Sequence, residues 1–401
     1  METSTKIYMD YAATTPVDAK VLAAMTPYFS SFYGNPSSIH VFGQVAESAL
    51  ENARQVVAEA IHARADEIFF TSGGTESDNL ALRGVALAMR KKTGADHLLV
   101  SPVEHPAVSR TARQLAEDFG FTVENLPVDH TGQVDPGEVA ARIRTNTALV
   151  SVIYANNEIG TINPVAQIGA ICRQQGIPFH TDAVQAAAYL TIDVQAACID
   201  LLSLGSHKFY GPKGVGVLYV RKGTPIQPIQ TGGSQENGLR SGTQNIPYIV
   251  GLAEALRLTQ VEATQRAVRL VPMRDRLIGE ILEVIDDSRL TGHPVQRLPN
   301  HASFVFNGVD GNALITLLDA AGFACSSGSA CKTGNPQPSE VLTSIGFEPS
   351  WALGSLRVTL GCDTIPAHVD NLLKVLPGMV SRGRRMVSHG KQVYPTGDKP
   401  Q

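Results

Sequence analysis

The sequence predicts an α/β protein built on a mainly parallel sheet, followed by a smaller α+β lobe. Short apolar runs alternate with amphipathic helical stretches from residue 66 to about 220. A long helical pattern then leads into a region with further strand-like runs. Strands and helices that alternate at this spacing are typical of right-handed βαβ units. Such sheets bind ligands beyond the carboxyl ends of their strands, so candidate site residues are sought there.

The individual elements follow from hydrophobic periodicity. The predicted strands of the first part are Glu67–Thr71, His97–Ser101, Ala148–Tyr154, Ile177–Thr181, Ile199–Leu204 and Val215–Val220. The predicted helices among them are Ser77–Met89, Val108–Phe119 and Val165–Gln175. A long helix is predicted from Ile249 to about Ile285, and Pro272 should kink or split it because proline has no N–H to donate. Strands of the second lobe are predicted near Ala302–Phe306, Phe323–Ser326 and Ser355–Leu360.

The length of 401 residues suggests two domains. We assign residues 16–260 to a large domain, and residues 1–15 and 261–380 to a small domain. Residues 381–401 are basic and polar, and we expect them to form a flexible tail.

Composition and charge exclude several classes of protein. The chain is 43% hydrophobic, which argues against general disorder, and its net charge is −4 (33 basic and 37 acidic residues), which gives no attraction to nucleic acid or anionic membranes. No apolar run approaches the roughly 18 residues of a membrane span, and the first residues do not form a secretory signal. We therefore expect a cytoplasmic protein with no membrane partner and no direct nucleic-acid partner.

The five cysteines are odd in number and scattered: Cys172, Cys198, Cys325, Cys331 and Cys362. This distribution does not form a disulfide framework and fits a reducing compartment. Turn-forming residues follow Cys331, so this thiol is either an incidental surface group or an accessible nucleophile.

A glycine-containing segment, TSGGTESDN, follows the first predicted strand and opens a helix (residues 71–79). The N–H groups and the dipole of a helix start favour a phosphate. The segment has neither the lysine of a P-loop nor the GxGxxG pattern, so ATP and NAD are weakly supported. The alternative is an ordinary capped turn, with Thr75 or Ser77 as the cap.

Two further candidates stand at the ends of neighbouring strands. Lys208 follows an apolar run directly, and a partly desolvated lysine can act as an amine nucleophile that forms a Schiff base. Asp182 ends the preceding strand, where it could pair with a pyridinium nitrogen. The alternatives are a surface lysine and a helix N-cap. A metal site formed by His105, His180 and His207 is disfavoured, because no two of them have helical ligand spacing.

Ten segments of this chain, in the same order from residue 9 to about 361, resemble the cysteine desulfurases of the class V aminotransferase family, the IscS/NifS type. The segments are MDYAATTP, GNPSS, TSGGTESDNL, VEHP, NNEIG, HTDAVQ, SHKFYGPKG, RSGT, SSGSAC and SLRVTLG. The resemblance implies a fold-type I enzyme that uses pyridoxal 5'-phosphate and works as a homodimer.

The resemblance also implies roles for individual residues. Lys208 would hold the cofactor covalently, His105 would stack on the pyridine ring and help move protons, and Asp182 would pair with the ring nitrogen. Further cofactor contacts would come from Gln185 at the phenolic oxygen, from Asn157, and from Gly74, Thr75, Ser206 and His207 at the phosphate. Thr243 would reach the phosphate of the neighbouring subunit.

The implied substrate is L-cysteine, whose carboxylate Arg357 would grip with help from Asn157 and Asn35. Freed Lys208 would remove the Cα proton, and the Cys331 thiolate would attack the substrate sulfur, leaving a persulfide and L-alanine. Cys331 would pass the sulfur to an acceptor protein of unknown identity, and it could contact an iron–sulfur cluster during transfer. No metal is expected in the isolated chain.

The chain departs from the family pattern in three places. Gly205-Ser206 stands where many relatives have Ser-Gly, which leaves open whether the Ser206 hydroxyl or the Gly205 backbone contacts the phosphate. Cys325 has no functional interpretation. The acceptor-docking tail of housekeeping members is not recognisable in KQVYPTGDKPQ. Iron–sulfur assembly, DNA phosphorothioation and tRNA thiolation are therefore all open as destinations of the sulfur, and selenocysteine lyase and a non-catalytic sulfur-relay scaffold are the alternative functions.

Overall fold

The structure, a computed structural model, describes residues 6–328 and 337–393, and the side chains of all of these except residues 389–393. The first part of the chain contains β1 (Ile7–Tyr8), α1 (Ala19–Met25), α2 (Pro27–Ser30), α3 (Val41–Ala60), β2 (Ile68–Thr71), α4 (Gly74–Thr93), β3 (His97–Val100), α5 (Pro106–Phe119), β4 (Thr122–Asn125), α6 (Pro136–Arg142), β5 (Thr147–Ser151), α7 (Val165–Gln175), β6 (Phe179–Asp182), β7 (Leu201–Gly205) and β8 (Gly216–Val220). The second part contains α8 (Ile246–Val284), β9 (Ser288–Leu290), β10 (His301–Phe306), α9 (Gly311–Ala320), β11 (Phe323–Ala324), α10 (Glu340–Ser344), α11 (Pro349–Ala352), β12 (Ser355–Thr359) and α12 (Pro366–Val393).

A seven-stranded mixed sheet with the order β2-β8-β7-β6-β5-β3-β4 forms the centre of the molecule. Strand β8 is antiparallel to both of its neighbours, and the remaining pairs are parallel. Strands β5, β7 and β8 are buried along their whole length, which is why they are apolar runs rather than alternating patterns. The predicted, mainly parallel sheet is therefore present. Strand β4 was missed because TVEN lies half exposed at the sheet edge and has no apolar run.

The parallel register sets the position of the site. Asp182 at the end of β6 lies opposite Ser203 in β7, so the residues that follow the two strands emerge at the same edge of the sheet. Helix α4 begins at this edge too, immediately after β2.

Helix boundaries agree with local capping chemistry. Helix α7 has the predicted bounds and ends at Gly176, which adopts the left-handed conformation (φ 70°) common after helices. Helix α4 starts earlier than predicted, at Gly74, and ends before Gly94, which is also left-handed (φ 79°).

Helix α8 is not split at Pro272, in contrast to one of the two expected outcomes. Pro272 lies on the exposed side of the helix. Val268, whose carbonyl loses its hydrogen bond to residue 272, is also exposed (71%). Water can satisfy that carbonyl, so the helix continues through the proline.

The second lobe is built on the antiparallel sheet β12-β10-β9, against which α8 and α9 pack, and α12 packs on both helices. The N-terminal strand β1 pairs in parallel with β11, with Ile7 opposite Phe323. The first residues of the chain therefore lie with its C-terminal third.

The expectation of a flexible tail from residue 381 needs correction. Helix α12 continues from Pro366 to Val393, and residues 394–401 lie outside the described residues. Four apolar side chains of its first half are buried: Val369, Leu372, Leu376 and Val380. The helix is therefore packed against the protein up to Val380, the residue after which we expected a flexible tail. Across the described ranges, no helix is both long enough and apolar enough to cross a bilayer.

Candidate active site

A cavity of about 340 Å³ lies at the edge of the sheet where β6 and β7 end and α4 begins. Its walls are formed by Ala12, Ala13, Gly74, Thr75, Asp78, His105, Ile153, Asn157, Asp182, Val184, Gln185, Gly205, His207, Lys208 and Arg357. Most of the site residues named from the sequence are therefore brought together in one place.

Lys208 projects into this cavity from a 3₁₀ turn, Ser206–Lys208, that follows β7 directly. Its Nζ donates hydrogen bonds to the carbonyl oxygens of Ala12 and Ala13, both at 2.7 Å. Burial, helped by the positive charge of Arg357, lowers the pKa of Lys208 to about 8. A larger share of neutral amine near neutral pH makes the group a better nucleophile and base.

Asp182 forms the buried wall of the cavity. One of its oxygens accepts a hydrogen bond from the backbone N–H of Val184 (2.9 Å). Burial, and next the charge of Asp78, raise the pKa of Asp182 to about 7. A carboxylate in this environment is stabilised by a cationic group brought into the cavity.

Two further buried carboxyl groups lie close to Asp182, and the sequence analysis did not single them out. Asp78, on the second turn of α4, has its pKa raised to about 7 by burial, and its Oδ1 has no hydrogen-bond partner among the described residues. Glu104 accepts a hydrogen bond from the backbone of Ile153 (2.6 Å), and burial raises its pKa well above the usual range. Asp78 and Glu104 thus each have one buried oxygen with no hydrogen-bond partner among the described residues, although Asp78 Oδ1 lies 3.5 Å from His180 Nε2.

His105 caps helix α5, where its Nδ1 accepts a hydrogen bond from the backbone N–H of Ala107 (3.1 Å). The proton of the neutral ring is then on Nε2. Burial lowers the pKa of His105, although the nearby Asp182 opposes that effect. A neutral, oriented imidazole at the cavity wall is suited to stack on a flat ligand and to exchange a proton.

The start of α4 is the candidate phosphate site. The helix begins at Gly74 after Gly73, and no side chain caps it. The capped turn considered as an alternative, with Thr75 or Ser77 as the cap, is therefore not observed. Instead, the Ser77 hydroxyl contacts that of Thr71 (2.8 Å). The uncapped N–H groups at the cavity wall form a favourable environment for an anion.

Gln185 and His207 complete this side of the cavity. Gln185 Nε2 donates to the carbonyl of Ala12 (2.9 Å). His207 Nδ1 lies 3.2 Å from the Thr14 hydroxyl, and burial lowers the pKa of His207 to about 4. The Gln185 amide and the His207 ring are therefore neutral hydrogen-bonding groups near neutral pH.

Arg357 enters the cavity from strand β12 of the second lobe. Its Nη1 donates to the carbonyl of Asn157 (2.9 Å) and its Nη2 to the carboxylate of Asp10 (2.9 Å). Asp10 also accepts a hydrogen bond from the Ser326 hydroxyl (2.7 Å). Arg357 Nε is buried and has no hydrogen-bond partner among the described residues. The guanidinium is thus oriented from both sides and retains a free donor.

Three of the predicted site residues that the structure describes do not line the cavity. Ser206 is completely buried, and its hydroxyl points toward Gly211, away from the cavity. Asn35 is exposed and accepts a hydrogen bond from Ser37 within its own turn. Thr243 is also exposed. Cys331 lies outside the described residues.

Gly205 and Ser206 differ in their position relative to the cavity. Gly205 lines it, and a Cβ added there would lie 3.4 Å from the Gly74 backbone nitrogen. Ser206 does not line it. Of the two phosphate contacts that the sequence leaves open, this placement favours the Gly205 backbone.

The disfavoured metal site is not formed as a histidine cluster. The described residues instead bring possible ligand atoms of Asp78, His105 and Asp182 within 4.8 Å of one another. These three side chains belong to the wall that a flat, cationic ring would contact, so they fit an organic cofactor at the same place.

Comparisons with known proteins agree with this arrangement. Residues 7–372 match the family described as Aminotransferase class-V. The chain is 47% identical over 380 residues to a protein of Methanosarcina thermophila called Cysteine desulfurase IscS, an alignment that covers 95% of this chain and 93% of that one.

Solved structures show the same fold. One, described as a NifS-like protein, has a TM-score of 0.87 and 36% identity, and the match covers 94% of this chain and all of that one. Another, described as SspA in complex with cysteine, has a TM-score of 0.76 and 36% identity, over 89% of this chain and 99% of that one.

The chain therefore belongs to the class V aminotransferase family, and within it to the cysteine desulfurases. The predicted fold-type I architecture and the predicted family are confirmed. The cofactor of this family is pyridoxal 5'-phosphate, and the residues fit it: a lysine with a lowered pKa, the buried carboxyl of Asp182, with a raised pKa, for the ring nitrogen, and an uncapped helix start for the phosphate.

Proposed function

We propose that Lys208 and Asp182 carry the chemistry of this desulfurase: Lys208 would hold the cofactor covalently, and Asp182 would pair with its ring nitrogen. The observation that supports this most directly is their placement in one cavity, with burial lowering the pKa of the amine and raising that of the carboxyl. When bound, the cofactor supplies a ring that stabilises negative charge at the Cα atom of an attached amino acid. Asp182 maintains the positive charge of the ring nitrogen on which this stabilisation depends.

Substrate binding depends on Arg357 in this proposal. Its planar guanidinium suits a carboxylate, and its contacts to Asp10 and the Asn157 carbonyl fix its orientation before substrate arrives. Lys208 Nζ takes the Cα proton of L-cysteine. His105 would stack on the ring of the cofactor and help to move protons.

Cys331 is the proposed sulfur acceptor within the chain. Its thiolate attacks the sulfur of the substrate, the Cβ–S bond breaks, and its electron pair remains with the carbon skeleton. Protonation of that skeleton gives L-alanine, and the sulfur stays on Cys331 as a persulfide, so the exchange needs no external oxidant or reductant. The final acceptor would be a second protein that attacks this persulfide.

We further propose that the enzyme is a homodimer. A surface formed by residues 22–45 carries a high density of exposed apolar side chains, which we call the apolar surface. Its members are Leu22, Phe29, Phe32, Tyr33, Ile39, Val41, Phe42 and Val45. Ile39 is 93% exposed. Exposed apolar surfaces of this extent mark interaction sites, and a second copy of the chain would cover this one.

We also propose a cytoplasmic location, which the described thiols support. The described cysteines Cys172, Cys198, Cys325 and Cys362 are all free, which agrees with a reducing, cytoplasmic environment. Such an environment also keeps a working thiol available.

The experiment that tests these assignments compares Lys208→Ala with Lys92→Ala, a change at an exposed lysine near the end of α4. We expect Lys208→Ala to abolish the visible absorbance of bound cofactor and the release of alanine from L-cysteine, while Lys92→Ala behaves like the wild type. Retention of alanine release by Lys208→Ala would disprove the role of Lys208.

A further inference from the structure

The loop of residues 231–245, called here the Thr243 loop, contains an exposed threonine whose two neighbours in the chain are both hydrogen-bonded within the loop. On one side of Thr243, the backbone N–H of Gly242 donates to Gln235 Oε1 (3.0 Å). On the other side, Gln244 Nε2 donates to Glu236 Oε1 (3.3 Å). Thr243 is thus held between two contacts, although it does not line the cavity of its own chain.

The segment that makes these contacts has a strained backbone. Glu236 and Asn237 have φ values of 48° and 55°, and Gly238 follows at 78°. Non-glycine residues rarely adopt this left-handed region, and two in succession persist only where surrounding contacts hold them.

The contacts that hold this segment centre on the buried carboxylate of Glu236. It forms a two-point ion pair with Arg54, at 2.7 and 3.0 Å, and it accepts a hydrogen bond from the backbone N–H of Phe70 (2.9 Å). Arg54 also donates to the carbonyl of Ile68 (2.6 Å). The loop is therefore fixed to strand β2, which leads directly into α4.

A second ion pair fixes the far end of the loop. Arg240 donates to both oxygens of Glu76, at 2.7 and 3.2 Å, and each side chain is only 19% exposed. Glu76 lies in the first turn of α4 and also accepts a hydrogen bond from the Ser72 backbone (2.7 Å). The Arg240–Glu76 pair thus ends on α4, whose start is the candidate phosphate site. The Arg54–Glu236 pair joins the loop to α3, and both of its side chains also hydrogen-bond to the backbone of β2.

The loop also adjoins the apolar surface. A surface groove of about 530 Å³ is lined by Pro36 and Ser37 on one side and by Glu236, Asn237 and Gln244 on the other. The loop is therefore placed where a second copy of the chain would meet it.

We propose that the ion pairs Arg54–Glu236 and Arg240–Glu76 are positioning devices that preset the Thr243 loop for the phosphate of the neighbouring subunit. The proposal rests on the proposed dimer and on the role of Thr243 that the family resemblance implies. It adds that Glu236 acts on cofactor binding through Thr243, and that it acts across the subunit interface.

The first test measures the dissociation constant of pyridoxal 5'-phosphate for the full-length apoenzyme. We expect Thr243→Ala and Glu236→Gln each to weaken binding about tenfold, which is the order expected for loss of one hydrogen bond to a charged group. The matched control is Asp200→Asn, because Asp200 is an equally buried carboxylate that contacts Arg221 at the opposite end of β7. The control should bind the cofactor like the wild type.

A double variant separates positioning from general destabilisation. If Glu236 acts through Thr243, Glu236→Gln combined with Thr243→Ala binds no more weakly than Thr243→Ala alone. The proposal would be overturned if the two substitutions weakened cofactor binding by factors that multiply in the double variant. It would also be overturned if Glu236→Gln bound the cofactor normally while Thr243→Ala bound it more weakly. Normal binding by Thr243→Ala would instead remove the implied role of Thr243, and the positioning proposal with it.

Because a buried charge is altered, Glu236→Gln could fail to fold. Arg240→Lys then provides the second variant, since lysine retains the charge but cannot make the two-point contact. We expect it to weaken cofactor binding severalfold, while Arg257→Lys, at an exposed ion pair with Glu254, does not. Equal affinities of Arg240→Lys and Arg257→Lys for the cofactor would overturn the proposal.

A hybrid dimer tests the action across the interface. One subunit carries Lys208→Ala with a native loop, and the other carries Glu236→Gln with native Lys208; two affinity tags isolate the hybrid. The single site that can bind cofactor covalently is then served by the native loop of the other subunit, so we expect wild-type affinity there. Persistent weak binding at that site would show that Glu236 acts within its own subunit and would overturn the proposal.

Discussion

Asp182 and Asp78 provide a matched pair for testing how the cavity stabilises its cofactor. Both carboxyls are buried (5% and 1% exposed), and burial raises the pKa of each to about 7. We expect replacement of Asp182 by asparagine to leave the ring nitrogen without its counter-charge in a buried site. Removing one partner of a buried ion pair costs ~3–5 kcal/mol, which at 1.4 kcal/mol per tenfold corresponds to a fall in kcat/KM of between about 10² and about 4 × 10³-fold.

Asp78→Asn should change kcat/KM by less than about threefold. When Asp182 carries the negative charge, the neighbouring Asp78 is held neutral by burial and like-charge repulsion, and an amide resembles the neutral acid in shape and polarity. The assay is alanine formation from L-cysteine at saturating cofactor, with the absorbance of bound cofactor recorded to show that each variant is loaded. The reasoning fails if Asp182→Asn retains kcat/KM within tenfold of the wild type, or if kcat/KM falls by the same factor in both variants.

Three further predictions concern stability and cofactor affinity. Ser206→Ala should raise the free energy of unfolding by about 1 kcal/mol, because it removes a buried hydroxyl with no hydrogen-bond partner among the described residues. Thermal denaturation should therefore show a slightly higher Tm, and an unchanged or lower Tm would argue against this. Gly205→Ser should tighten cofactor binding severalfold in a titration of the apoenzyme, because it restores a hydroxyl on the cavity side near the Gly74 nitrogen; weaker binding would contradict the assigned direction. As pH falls from about 8 to about 5, the Tm of the wild-type apoenzyme should rise relative to the Tm of the Asp182→Asn apoenzyme. The folded Asp182 has a pKa of about 7 against 3.8 unfolded, so the folded state binds the extra proton in this window, and a constant difference in Tm would contradict the raised pKa.

Some of this site followed from sequence because of simple topology. Lys208 and Asp182 stand at the ends of apolar runs that read as neighbouring parallel strands, and parallel strands bring such ends to one edge. The candidate phosphate site was predicted from glycines between a strand and a helix, and the structure places that helix start at the cavity wall. These features depend on residues close in the chain, so local patterns carry them.

The remaining parts of the site depend on contacts that local patterns do not contain. Asp10 contacts Arg357 across 347 positions of sequence, and the signal available for it was its place in the segment MDYAATTP. Asp78 looks like an ordinary polar residue in the first turns of a helix, and its burial arises only from tertiary packing. The direction of Ser206 depends on a 3₁₀ turn in which adjacent residues point to different sides.

The central claim is that the chain transfers sulfur from L-cysteine to its own Cys331 while forming L-alanine. The most direct measurement is a single turnover of the loaded enzyme with L-cysteine in the absence of other thiols, followed by mass spectrometry of the protein and quantification of alanine. We predict one alanine per subunit and a mass increase of one sulfur atom confined to the peptide that contains Cys331. Alanine formation with the added sulfur on another cysteine, or no alanine at all, would contradict the account.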